Sequence, residues 1–402
     1  MTKYTEILPD EAVLKSGYPL DRLAKSDTDI LFLDIETTGL SPKRSGIYLI
    51  GCACREGAHF VLYQWFADHP NDETVILTEF LQFARRFRLI VTFNGERFDL
   101  PFIDARCTFC KLPNPLSQIP SLDIYRNITP WRSFLGLPDC KQRTVELFLG
   151  LDRQDRFSGK QLIETYKRFL SGSESGGRHD LLLHNAEDVR GLFFLMRMLH
   201  FEDLFRQVTS YFDTVGSASL LPLHTDAAPV PDMPAPPLSA TRVQADTYQV
   251  SPDETRIELI IHGHLPESLP SSAGVNTDTC SVRLDGDTFS IRMTILETEL
   301  KYFYANYRDY YYLPAEDEAM HKSISSYVDR SHRVQANASN CYTRKKSRFL
   351  QQWSLCFAPF FKSDYQDRRM YFELTEPLKV NRQSMSLYAT HILAHLLSCH
   401  NA

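Results

Sequence analysis

The 402-residue sequence predicts a mixed α/β domain followed, across a proline-rich break, by a second, α+β domain. Three observations carry this. Residues 30–36, ILFLDIE, form an apolar run that acids enter only at its end, the pattern of a central strand reaching a solvent edge. Residues 72–87, DETVILTEFLQFARRF, space Val75, Leu77, Phe80, Leu81 and Ala84 as one face of a helix. Six prolines fall from Pro222 to Pro237, and PVPDMPAPP has neither helical nor strand period, which predicts an extended linker.

The remaining elements follow in chain order. IYLIGCACR (47–55) and HFVLYQWF (59–66) are rich in β-branched and aromatic residues and are split by Glu56-Gly57, predicting an antiparallel meander. LIVTFN (89–94) reads as a short buried strand, and ERFDLPFIDARCTFC opens a second helix. Beyond Asp123 the pattern is helical to about residue 208, broken by a polar loop, SGSESGGRHD (171–180). After the linker, IELIIHGHL (257–265) and SVRLDGDTFSIRMTIL (281–296) read as strands, the latter turned at Asp285-Gly286. The expected organisation is an N-terminal extension over 1–27, an α/β domain over 28–208, a linker over 209–250 and an α+β domain over 251–402.

Composition narrows the class. With 43% hydrophobic and 12% aromatic residues the chain can bury two cores. Its first residues are polar and no later stretch is long enough to cross a bilayer, so no membrane partner is expected and the expected location is cytoplasmic. Nine cysteines spread thinly over the chain read as reduced thiols. A net charge of -6 argues against indiscriminate polyanion binding, yet leaves room for a carboxylate-rich metal site with a locally basic surface.

Such a site is suggested by three acidic elements. Asp34 and Glu36, two apart in a strand, point to one face, and Thr37, Thr38 and Gly39 follow in a turn suited to close approach by a sugar or phosphate. Asp99 closes NGERFD (94–99) in the first turn of a helix, where it serves either the helix dipole or a ligand set. His184 and Asp188, four apart, share a helical face. Each element alone also fits an ordinary solvated position, but together the four acids supply the oxygen ligands that hard divalent cations require.

DIETTGL, NGERFD and HNAEDV, in that order over about 155 residues, resemble the three exonuclease motifs of the DEDD superfamily. The region 28–208 looks most like the YprB-type, ribonuclease H-like exonuclease domain, a match that SLDIYRNITP and TVELFLGLDRQDRFSGKQLIETY extend. The resemblance implies a five-stranded mixed sheet flanked by helices and 3'→5' hydrolysis of DNA or RNA. It also implies two bound Mg2+ or Mn2+ ions held by Asp34, Glu36, Asp99 and Asp188, with His184 beside the attacking water. One departure stands out. The histidine-type branch carries its histidine five residues before the last aspartate and the tyrosine-type branch a tyrosine four before it; here Leu183 fills the first position and His184 the second.

Secondary candidates are weaker. Thr37, Thr38, Gly39 and Asn94 are the expected substrate contacts, although Asn94 equally suits its own turn. Asp123 either assists the site or caps a strand end, the structural reading being preferred. Cys107 and Cys110 form a lone CxxC within a helix and, like Cys52 and Cys54, read as structural thiols. From Asp329 to Met370 nine lysines and arginines face three aspartates. Within that stretch RKKSR (344–348) lies near Tyr342, Phe349 and Trp353, either a nucleic-acid surface or a solvated basic loop. KYFYANYRDYYYLP (301–314) is a core strand or a stacking surface. The second domain is expected to guide nucleic acid or bind a protein partner. Rival readings are a structure-selective endonuclease on the same fold and a non-catalytic binding module with a relic site.

Overall fold

The structure, a computed structural model, describes residues 1–402 apart from 10–16, 154–156, 158, 173–176, 216–237, 253–255 and 400–402. The proline-rich PVPDMPAPP segment lies outside the described residues. The chain divides into two compact units, Met1–Ser133 with Leu137–Glu202, and Phe134–Gly136 with Asp203–Ala402.

The first unit is built on a six-stranded mixed sheet of order β1-β4-β3-β2-β5-β6. The strands are β1 (Thr2–Ile7), β2 (Ile30–Thr37), β3 (Ile47–Glu56), β4 (His59–Phe66), β5 (Leu89–Thr92) and β6 (Ser121–Asp123). β1 to β4 pair antiparallel, whereas β2, β5 and β6 run parallel. The sheet has one strand more than the five that the resemblance implies. The additional strand is β1, at the edge beside β4 and within residues 1–27; its polar, mostly exposed TKYTEI has no apolar period to reveal it.

Alternation along β2 decides what lies on each face. Leu31, Leu33 and Ile35 join a core with Ile76, Leu77 and Phe80 of α1 (Glu73–Ala84) and Phe102 and Ile103 of α2 (Asp99–Cys110). Phe32, Asp34 and Glu36 point the other way. There Phe32 packs against Phe193 with ring centroids 4.0 Å apart. Phe193 belongs to the 19-residue α6 (Gly177–Leu195), which follows α3 (Ile124–Ile128), α4 (Gln142–Phe148) and α5 (Gly159–Leu170). Residues 177–180, expected in the polar loop, are instead the first turn of α6, with Gly177 and Leu181 buried on it. α7 (Leu199–Thr209) and α8 (Tyr211–Val215) follow.

The second unit is rich in sheet. Five strands order as β7-β8-β11-β10-β9: β7 (Gln244–Pro252), β8 (Ile257–His264), β9 (Ala273–Asn276), β10 (Cys280–Asp285) and β11 (Thr288–Thr294). β10 and β11 form the expected hairpin. Asp285 pairs with Thr288, so the two loop residues are Gly286, at φ +58°, and Asp287. A four-stranded sheet joins β12 (Leu296–Phe303), β16 (Tyr342–Gln352), β18 (Met370–Glu373) and β17 (Phe360–Phe361), and a three-stranded sheet joins β14 (Glu318–His321), β13 (Tyr310–Leu313) and β15 (Val334–Gln335). A C-terminal helix, α9 (Arg382–Cys399), packs on β7.

The RKKSR run is a strand rather than a loop. Its neighbours are acidic: Arg344 lies 3.6 Å from Glu299, Lys345 2.6 Å from Glu373 and Arg348 3.8 Å from Glu297. The tyrosine-rich stretch is partly core. Tyr304 stacks on Tyr310 at 4.6 Å, and Tyr312 and Tyr342 donate to Asp317 Oδ1 at 2.5 and 2.6 Å. All nine cysteines are free thiols. Among the described residues no helix is long and apolar enough to cross a membrane.

A candidate metal and catalytic site

The face of β2 opposite the α1 core carries Asp34 and Glu36 towards α6. β3 makes room for the approach. Asp34 pairs with Gly51, and a Cβ on Gly51 would stand 2.0 Å from Asn185 Oδ1. Because that side chain is missing, Asn185 of α6 is buried directly over the strand and donates from Nδ2 to Asp34 Oδ2 at 2.8 Å. Its Oδ1 accepts from Gln64 Nε2 at 2.8 Å, and Gln64 also donates to the Leu182 carbonyl. Asn185 is thus fixed on both sides. It holds one carboxylate oxygen of Asp34 in place.

The same helix turn supplies His184 and Asp188. Four-residue spacing stacks them, with His184 Nε2 3.1 Å from Asp188 Oδ2 and 3.5 Å from Glu36 Oε1. Glu36 Oε2 in turn accepts from the Tyr48 hydroxyl at 3.4 Å. One ligand atom each from Glu36, His184 and Asp188 lie within 4.8 Å of one another. Asp99 enters from the first turn of α2, where its Oδ1 accepts the Ile35 N–H at 3.0 Å. This bond ties the second acidic element to the strand that carries the first.

Electrostatics show what such convergence does to the carboxylates. Burial, reinforced by the charges of Asp188, Asp99 and Glu36, holds Asp34 well above the usual carboxylate range. Burial pushes Glu36 up to about 8, against the opposing pull of His184. Burial likewise raises Asp99 to about 7, although the Ile35 N–H works against it. For Asp188 burial acts upward too, but the His184 hydrogen bond and the Arg153 charge outweigh it and hold this carboxyl below its ordinary value. Burial and mutual repulsion thus disfavour the ionised form of Asp34, Glu36 and Asp99, a cost that a bound cation would offset. Carboxylate oxygens beside one imidazole are a donor set of the kind that divalent cations take.

The turn after β2 is internally bonded. Thr37 Oγ1 donates to the Gly39 carbonyl at 2.9 Å, and Thr38 Oγ1 accepts the Gly46 N–H at 3.0 Å. A Cβ on Gly39 would meet Ser45 Oγ at 2.6 Å. A buried ion pair clamps this turn from behind: Arg106 Nη2 lies 2.5 Å from Glu73 Oε2, Glu73 Oε1 accepts the Ile47 N–H at 2.8 Å, and Arg106 Nη1 donates to the Pro42 carbonyl at 3.0 Å. Asn94 has φ +62°, and its N–H donates to Asp123 Oδ1 at 2.7 Å. Asp123 also accepts from Glu96 N–H and Tyr125 N–H. Asp123 is therefore the organiser of the Asn94 turn and the cap of α3, the structural role expected of it. Gly95 is required there, since a Cβ would fall 2.5 Å from Thr92.

The sequence-predicted residues Asp34, Glu36, Asp99, His184 and Asp188 are brought together, whereas the Thr37–Gly39 and Asn94 turns are held by their own bonds. Gly51, Gln64, Asn185, Tyr48 and Arg153 were not legible as site residues. Of these, Asn185 lies within HNAEDV and Arg153 within the segment 144–166 that extends the family match, but neither is marked there as a site residue.

Sheet, helices and acid cluster together define a ribonuclease H-like fold with a carboxylate and imidazole centre. Residues 31–200, which contain every acid of that centre, match the model of the RNase_H superfamily. No curated protein matches the chain. Among solved structures the chain is similar to the family B DNA polymerase from the hyperthermophilic archaeon Pyrobaculum calidifontis, at 16% identity and a TM-score of 0.35, over 57% of this chain and 33% of the polymerase. It is also similar to zinc-bound E. coli exonuclease I in complex with single-stranded DNA, at 12% identity and a TM-score of 0.28, over 64% of this chain and 54% of the enzyme. A product-bound exonuclease I aligns at 11% identity and a TM-score of 0.30, over 93% and 73% respectively. The chain thus spans about a third of the polymerase and about half of the first exonuclease I structure.

Proposed function

We propose that the first unit is a divalent-metal-dependent nuclease that hydrolyses phosphodiesters of DNA or RNA from a 3' end. The observation that carries this reading is the convergence of Asp34, Glu36, Asp99 and Asp188 with His184, in a setting where three of the four carboxyls are raised by burial. In this reading the four carboxylates hold two divalent cations, Mg2+ or Mn2+. When bound, these polarise the attacking water and offset charge on the leaving oxygen, as pairs about 4 Å apart do in phosphoryl transfer. Asn185 and the Ile35 N–H fix the orientation of Asp34 and Asp99, so that little reorganisation is needed as charge develops. His184, whose Nε2 lies between Glu36 and Asp188, orients the water or accepts its proton. The backbone of the Thr37–Gly39 turn and Asn94 are assigned to the terminal nucleotide.

The polarity of digestion rests on the resemblance of DIETTGL, NGERFD and HNAEDV to the DEDD motifs and of residues 28–208 to the YprB-type domain. A second reading of His184 also has support, because its Nε2 belongs to the same cluster of ligand atoms as Glu36 and Asp188: the imidazole would then be a metal ligand. Metal affinity of His184→Ala distinguishes the two, being nearly unchanged for a water-orienting group and weakened for a ligand. In the second unit the acidic partners of Arg344, Lys345 and Arg348 offset the basic run, which favours a structural role for that strand. The test is incubation of the full chain with 3'- and 5'-labelled single- and double-stranded DNA and RNA, with Mn2+, Mg2+ or EDTA. A circular strand tells endonuclease from exonuclease, and absence of all metal-dependent hydrolysis leaves a binding module.

A further inference from the structure

Arg153 follows α4 in a stretch with no acidic motif, yet its guanidinium reaches the centre of the site. Nη1 donates to Asp188 Oδ1 while Nη2 donates to Glu146 Oε1. The side chains are 8% exposed for Arg153, 1% for Glu146 and 16% for Asp188, so solvent screens this bridge little. We propose that Glu146 and Arg153 are positioning residues that form a charge-compensated clamp on Asp188, fixing the carboxylate for a cation without cancelling its charge. The inference rests on the reading of Asp188 as a metal ligand.

The charge balance is the first argument. A guanidinium against Asp188 alone would offset the negative charge that attracts a divalent ion. With Glu146 on its other prong the three groups sum to one negative charge, the charge Asp188 would carry by itself. The geometry is the second argument. The clamp occupies Oδ1, while Oδ2 stands 3.1 Å from His184 Nε2 on the side of Glu36. One oxygen is therefore held and the other presented, the part that outer hydrogen bonds play around metal ligands.

The surrounding chain is shaped to accommodate the clamp. Gln142 Nε2 donates to Glu146 Oε1 at 3.1 Å and to the Asp188 carbonyl at 3.2 Å, linking α4 to the ligand-bearing turn of α6. Gly191, three residues beyond Asp188, leaves the space. A Cβ there would fall 2.4 Å from Glu146 Oε1, 2.9 Å from Gln142 Nε2 and 3.0 Å from Arg153 Nη2. Among the described residues Arg153 Nε and Glu146 Oε2 are buried without hydrogen-bond partners. A bridge with such gaps is poorly explained as a stabilising device, because burying charges is costly unless their bonding is complete.

The experiment is calorimetric titration of full-length wild-type, E146Q and E146Q/R153Q proteins with Mn2+, with thermal unfolding as the control for folding. Removing the Glu146 charge leaves Arg153 uncompensated, so E146Q is expected to bind Mn2+ at least about tenfold more weakly. Removing both charges restores the balance, so the double variant is expected to return to within about threefold of wild type while its turnover stays low. R153K supplies a further arm should E146Q fail to fold. A compact ammonium keeps the charge but cannot span both carboxylates, and turnover is expected to fall at least about tenfold with Mn2+ affinity held. Wild-type affinity in E146Q, a double variant no tighter than E146Q, or wild-type turnover in R153K would each overturn the clamp. If wild type itself binds no Mn2+, the metal-site reading fails and the clamp with it.

Discussion

Asn185 Nδ2 donates to Asp34 Oδ2 at 2.8 Å from a helix that reaches the strand only because residue 51 is glycine. With the approach of His184 to Glu36, this contact joins the first and third acidic elements. Replacing Asn185 with Ala should leave the buried Gln64 amide short of an acceptor and Asp34 free to turn. The expected loss is about 1–3 kcal/mol of stability by urea unfolding, with a larger proportional loss of turnover. Gly51→Ala should be at least as damaging, since its Cβ would overlap Asn185. An active, fully stable Gly51→Ala protein would show that the contact is dispensable.

The crowding of like charges predicts opposite stability effects for two inactivating variants. Asp34→Asn removes a carboxyl whose ionisation burial and neighbouring charges oppose, and should raise the melting temperature of the metal-free protein. Asp188→Asn breaks with His184 and Arg153 and should lower it. Both should lose most hydrolysis. Calorimetry in EDTA, alongside a turnover assay in Mn2+, checks both parts together.

The raised carboxyls also fix a pH dependence. Glu36 near 8 and Asp99 near 7 hold protons in the folded protein that the unfolded chain has released, so the native state binds more protons across the interval from their ordinary values to these. Stability of the metal-free protein should therefore fall as pH rises from about 4.5 to about 8, the opposite of an ordinary ion-paired carboxylate. Glu36→Gln should flatten part of that fall. Mn2+ affinity should rise over the same interval with release of protons, seen as a buffer-dependent heat of binding.

His184 should prove separable from the ligands if it acts on the water. His184→Ala is then expected to slow turnover about a hundredfold or more and to alter the acidic limb of the pH profile, with Mn2+ affinity nearly intact. Full rate with an unchanged limb would make His184 structural.

Much of this arrangement was legible in the sequence because its signals are local. The apolar run of β2, the two-residue spacing of Asp34 and Glu36 and the four-residue spacing of His184 and Asp188 each follow from the geometry of one element. β1 was not legible, since an exposed edge strand needs no apolar alternation. Gly51, Gln64, Glu146 and Arg153 were not legible either, because their roles exist only once separate segments meet. The basic run in β16 misleads for the same reason: its acids, Glu297, Glu299 and Glu373, lie on other strands.

The central claim, that the acid cluster is a metal-dependent centre acting on 3' ends, is tested most directly with one labelled strand. Wild-type and Asp34→Asn proteins would be incubated with a 5'-labelled single strand in Mn2+ and in EDTA. The account predicts a ladder shortening from the 3' end for wild type in Mn2+, and an intact strand both in EDTA and with Asp34→Asn. Equal digestion by the two proteins, or digestion that persists in EDTA, would contradict it.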